Sequence, residues 1–148
     1  MIDTTAGRST DDALDAIADV HRSTLDAQAG FETMVAKAEP QFRPIASAFH
    51  ALHARHAQAL AAMLARAGRT ADTDGSFMAT VNKAVVSMRA FFDDIDEDVL
   101  AQIRDGEESV IDAFNDALAE PLSAGDDETL RAMRAELMEL VAQHTQAA

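Results

Sequence analysis

Apolar residues recur every three or four positions through most of the chain, the spacing of helices with one face turned to a core. The first such run opens on Ser9, Thr10, Asp11 and Asp12. Ser9 can cap free amides, Asp12 takes the capping-box position, and the acids suit the positive end of a helix dipole. Leu14, Ile17, His21, Leu25, Gln28, Glu32 and Val35 follow, predicting a helix over about residues 9–38, before Pro40 and Pro44. A second helix, over about 41–67, carries Ile45, Phe49, Leu52, His56, Leu60 and Met63 on one line. Pro44 fits only its first turn, and Gly68 suits its end. A third, over about 96–120, has Val99, Ile103, Glu107, Val110, Phe114 and Ala117, joined by Ile111 and Leu118. A fourth, over about 126–145, follows the turn marked by Pro121 and Gly125 and carries Leu130, Met133, Leu137, Leu140 and His144. Phe77, Val81, Val85 and Met88 share one face of a shorter helix over about 76–92, which Asp93 and Asp94 break from the next.

Short connections make the first two long helices antiparallel neighbours, and likewise the last two. The stretch of about 28 residues from Gly68 to Ile95 is long enough to travel the length of a bundle. These lengths predict a single all-α domain over residues 1–148, an antiparallel four-helix bundle of the ferritin-like type with a short extra helix in its crossover between helices 2 and 3. No hydrophilic linker divides the chain, and no repeat of solenoid length is present.

Composition sharpens this picture. Ala accounts for 32 of the 148 residues, against 3 Pro and 6 Gly, which favours helices packed closely through small side chains. A net charge of −14 argues against nucleic acid and against an anionic membrane. Without Cys, disulfides, thiolate nucleophiles and Cys-based metal sites are excluded. The opening Met1-Ile2-Asp3-Thr4-Thr5 lacks the basic and apolar regions of a signal peptide, so a cytoplasmic protein is expected. The longest apolar run, Ala59 to Ala65, is too short to cross a bilayer.

Each long helix places a polar residue on its apolar line: Gln28 and His21, His56, Glu107, and His144. Burying such a group costs free energy unless something hydrogen-bonds or coordinates it. Bundle cores use this arrangement for dinuclear metal sites, with a Glu from each of two helices and a Glu-x-x-His from each of the other two. Here the second helix has His53-Ala54-Arg55-His56, the fourth has Val141-Ala142-Gln143-His144, and the first offers Gln28 with Glu32 one turn on. Only Glu107 keeps the expected form. With most carboxylates gone, two-metal oxygen chemistry is not expected. The candidate metal set is Gln28, Glu32, His53, His56, Glu107 and His144, for a single Fe, Zn or Mn ion at most. The plainer alternative is a buried polar layer that fixes helix register. The acidic run from Asp93 to Asp98 lacks the glycine and spacing of a calcium loop, the seven Met residues are spread as core filler, and no phosphate loop or nucleophile constellation is present.

The segment Asp105-Gly106-Glu107-Glu108-Ser109-Val110-Ile111-Asp112-Ala113-Phe114-Asn115-Asp116-Ala117-Leu118 resembles a Gly-Glu, aromatic, Ala-Leu sequence on the third long helix of a bacterial family. Asp26-Ala27-Gln28-Ala29-Gly30-Phe31 is similar to that family's Asp-Gly-Glu-x-Gly-Phe pattern, with Gln28 in place of Glu, and His144 matches a His near the end of its last helix. Over about residues 10–146 the chain looks like these small, stress-associated ferritin-like bundles, classed as a domain of unknown function. The resemblance implies the ferritin-like fold, marks Gln28, Glu107 and His144 as positions of interest, and implies no activity.

The functional expectation is a non-enzymatic bundle acting through assembly or partner binding, most simply as a homodimer joined through apolar residues such as Val86, Phe91 and Phe92. The alternatives are a metal-binding bundle with a degenerate, mononuclear site and, last, a residual di-iron-type oxidoreductase.

Overall fold

A computed structural model describes residues 4–69 and 98–145, and among them every regular element is an α-helix. The helices are α1 (Thr4–Lys37), α2 (Arg43–Arg66), α3 (Asp98–Leu118) and α4 (Ala124–Thr145). The predicted crossover helix over 76–92 and the apolar residues Val86, Phe91 and Phe92 lie outside the described residues. α1 packs on α2 and α3, and α4 packs on α3 and α2. The diagonal pairs, α1 with α4 and α2 with α3, make no close backbone approach. This ring of neighbours is the arrangement of a four-helix bundle.

The elements end where local chemistry stops them. Pro44 sits in the first turn of α2, where its missing amide is not needed. Phe42 takes the cap position without a capping side chain and is instead buried in the core. At the other end of α2, Gly68 adopts φ +80°. Its amide donates to the carbonyl of Ala65 and that of Arg69 to Leu64, the Schellman pattern that a left-handed glycine makes possible. α4 opens on Ser123, whose hydroxyl accepts from the Asp126 amide at 3.2 Å. Gly125, expected in the preceding turn, is therefore inside the helix. α1 also starts before its expected Ser9 cap and runs through that residue.

The core lines of α2, α3 and α4 follow the sequence pattern closely. Val99, Ile103, Glu107, Val110, Phe114 and Ala117 are all buried. On α1 the inward face keeps the expected Ile17 and His21 but is otherwise rotated: Ala13, Val20, Thr24, Phe31 and Met34, with Ala38 just past the helix, are also buried, while Leu14, Leu25 and Val35 are half-buried and Glu32 is exposed. Phe31 explains the rotation. It stacks on Phe49 at 4.9 Å between ring centroids, and seating that ring buries more apolar surface than Leu25 or Val35 would. Thr24 tolerates full burial because its hydroxyl donates to the Val20 carbonyl at 2.7 Å.

The core falls into two apolar clusters. One joins Ile17 and Val20 to Leu60, Met63 and Leu64, Phe114 and Ala117, and Leu130 and Met133. The other joins Phe31, Met34 and Ala38 to Phe42, Ala46 and Phe49, and to Val99 and Ile103; Leu140 and Val141 of α4 pack against both clusters. Each cluster draws on all four helices.

Candidate functional site

Between the two clusters lies the polar centre of the molecule. Going down α2, His53 follows Phe49 of one cluster and precedes Leu60 of the other; on α3, Glu107 stands in the same way between Ile103 and Val110. The His53 Nε2–H donates to both oxygens of the Glu107 carboxylate, at 3.0 Å to Oε1 and 2.9 Å to Oε2. Both side chains are fully enclosed, at 0% and 2% exposure. The pair therefore reaches across the bundle diagonal between two helices whose backbones do not touch. The His53 ring lies on Phe31, 5.7 Å away and nearly parallel, so the aromatic stack Phe49–Phe31–His53 fixes its plane. Its Nδ1 has no partner.

His56, one turn on, is buried but belongs to a different environment. It meets the edge of Phe114 at 6.2 Å, and its Nε2 lies 3.5 Å from Glu136 Oε1 on α4. That distance is too long for a good hydrogen bond, and neither ring nitrogen is otherwise satisfied. Burial lowers the His56 pKa, and the nearby Glu136 carboxylate partly opposes the shift. Glu136 also accepts from both terminal nitrogens of Arg55 at 3.2 Å, which ties α2 to α4 across an exposed seam.

The candidate residues are thus divided. The structure brings His53 to Glu107 and turns His56 towards Glu136. Gln28 is half-buried on α1 and takes no part in the pair. Glu32 points to solvent. His144 is half-buried, with its ring tilted against Phe49 at 6.1 Å. Among the described residues, no three His, Asp or Glu side chains converge as a metal ion would need. His53 and Glu107 supply two potential ligand groups, which in this arrangement are hydrogen-bonded to each other.

Two features escaped sequence reasoning. Glu136 is one; it sits beside the apolar line of α4, and an acid there opposite Arg55 was the available signal. Asp26 is the other: it is half-buried, its Oδ1 lacks a partner, and burial raises its pKa while Arg22 pulls it down.

The α2–α4 seam is the most loosely packed of the four helix contacts. Two open depressions lie along it on either side of the Arg55–Glu136 bridge. One, of about 300 Å³, is walled by Ala48, Ala51, Leu52, Glu139, Leu140 and Gln143. The other, of about 380 Å³, is walled by His56, Ala59, Glu128, Thr129, Ala132 and Met133.

No helix of the described residues is long and apolar enough to cross a membrane. No curated protein and no solved structure matches the chain. One family does, over residues 12–120, a span that holds Gln28, Glu32, His53, His56 and Glu107 and leaves out α4 with Glu136 and His144. The chain therefore belongs to the family described as Domain of unknown function (DUF2383).

Proposed function

We propose that the chain is a non-enzymatic, antiparallel bundle of the ferritin-like type that works through assembly or partner binding, with the α2–α4 groove as its working surface. The bundle type is supported by which ends share a cluster. The end of α2 packs with the start of α4, and the start of α2 packs with the start of α3. Neighbouring helices then run in opposite directions, and Arg69 and Asp98 lie at opposite ends. A stress-associated bacterial setting belongs to the same proposal, on resemblance alone.

The observation that carries the functional reading is the contrast between centre and groove. The one core carboxylate among the described residues is occupied on both oxygens by an imidazole, the pattern of a register-fixing polar pair. The open concave surface lies elsewhere, on the loosest seam, where a partner can reach it. A photo-crosslinking residue placed at Ala51, on the groove floor, is expected to give a discrete adduct in cells of the source organism. One placed at Asp112, on the outer face of α3, is expected to give none. Equal labelling at both positions, or none at Ala51, sinks the proposal.

A second reading, a metal-binding bundle with a mononuclear Fe, Zn or Mn site, draws on the unpartnered ring nitrogens of His53 and His56. Elemental analysis of protein purified without a metal-affinity tag decides it. This reading predicts stoichiometric metal that is lost in Glu107→Ala.

A further inference from the structure

The groove between α2 and α4 has a chemistry specific enough to say what fits it. We propose that it docks a cationic amphipathic helix of another protein, one with two apolar anchors about two turns apart. The inference rests on the partner-binding reading above and adds the partner's chemistry.

Three observations carry it. First, the groove is floored by small and apolar side chains. Ala48, Ala51, Ala59 and Ala132 keep both walls low, so a helix can approach closely, and Leu52 and Met133 give each depression a buried apolar base. Second, the two depressions have a helical repeat. Their linings are centred about five residues apart along α2 and about eight apart along α4, or about 8–12 Å at the helical rise. Side chains at i and i+7 of a partner helix are about 10.5 Å apart. Third, the rim is acidic. Glu128, Glu136 and Glu139 border the groove against one cation, Arg55, which Glu136 already holds.

The acidic rim decides between occupants. A second copy of this chain would set the same acids against each other, each copy carrying −14. A helix with Lys or Arg beside its anchors meets Glu128 and Glu139 with opposite charge. His56 lines the larger depression with a ring that is 2% exposed, so it closes that wall without offering a free polar group to the partner.

The test uses the full chain and three synthetic peptides of about five turns each. One is a basic helix with Leu at i and i+7 and Lys beside them. The second has Glu in place of Lys. The third is the basic peptide broken by central prolines. Fluorescence anisotropy is expected to show saturable one-to-one binding of the basic helix that weakens with salt, and binding at least about tenfold weaker for the other two. Arginine at two exposed floor positions, Ala51→Arg with Ala132→Arg, is expected to weaken the basic helix by a similar factor without changing the circular dichroism melt. Equal binding of the acidic or the broken peptide, or unchanged binding by the double variant, overturns the proposal. So does a dimer, seen by light scattering, that the double variant abolishes, since the occupant is then a second copy. An adduct at Ala51 with no peptide binding removes the cationic helix and leaves the partner-binding reading standing.

Discussion

Glu107 makes its two hydrogen bonds to a single imidazole, so the stability of each side chain depends on the other. Removing His53 strands a carboxylate in the core, and His53→Ala is expected to cost about 3–5 kcal/mol in denaturant unfolding. Replacing both partners by apolar residues, His53→Phe with Glu107→Leu, is expected to recover most of that loss, because no unpaired charge is left behind. A double variant as unstable as the single one would show that shape, not charge, governs the position. The burial of Glu107 and its need for a partner were legible from Ile103, Val110 and Phe114 around it. The partner was not. His53 and His56 both fall within the width of one apolar stripe, and only the packing of Phe31 decides which of them turns to the centre.

Three buried or half-buried titratable groups give the protein a pH signature. Burial, helped by Arg22 at His21, holds His21 and His56 below the ordinary imidazole value of 6.5. The unfolded chain therefore takes up protons first as the solution is acidified. Stability is complete above that value and is lost as pH falls from it towards the folded pKa values. Melting temperatures measured from about pH 7 to pH 5 are expected to decline, and less steeply in a His21→Gln, His56→Gln variant. Asp26 has the opposite sign. Its raised pKa means that the charged form is disfavoured in the fold, a cost fully present at neutral pH. Asp26→Asn is expected to raise the melting temperature at pH 7, and the gain is expected to vanish by about pH 3, where the carboxyl is protonated in both states.

At the scale of the element, two helix ends depend on one residue each. A Cβ at position 68 meets no atom within 4 Å, so Gly68→Ala carries only the strain of the left-handed backbone, about 1–2 kcal/mol. Ser123→Ala removes the α4 cap, with an expected cost of about 1 kcal/mol. Chemical denaturation of the two single variants and the double checks both, and the losses are expected to add, since the sites are independent. Gly68 announced its role in the sequence because a glycine after an apolar run has few other uses. Ser123 did not, because Pro121 and Gly125 on either side drew the helix start two residues too late. The face of α1 is ambiguous in sequence for a related reason: with Ala spread around the helix, two neighbouring apolar lines are equivalent, and the stacking of Phe31 on Phe49 separates them.

For the whole molecule, charge and layering matter more than any one contact. A net charge of −14 repels itself in the compact state, whereas the surface bridges Arg55–Glu136 and Arg69–Asp15 are individually worth little. Raising the salt from about 0.01 M to about 0.15 M shortens the screening length to about 8 Å and is expected to raise the melting temperature. A fall would mean that bridges outweigh repulsion. The overall bundle was legible because its helices and short turns follow local rules. The diagonal pairing was not, because it depends on two residues 54 apart in sequence, on different helices, meeting at one height.

The two apolar clusters, each fed by all four helices and parted by the His53–Glu107 pair, also bear on how the protein opens. A fluctuation that loosens one end must loosen it in every helix at once, while the polar pair marks where the disturbance can stop. Amide hydrogen exchange should therefore group by height along the bundle and not by helix. Ala46 and Ile103, on different helices but in one cluster, should exchange with similar free energies of opening, and Leu60, on the same helix as Ala46, should exchange with the opposite end.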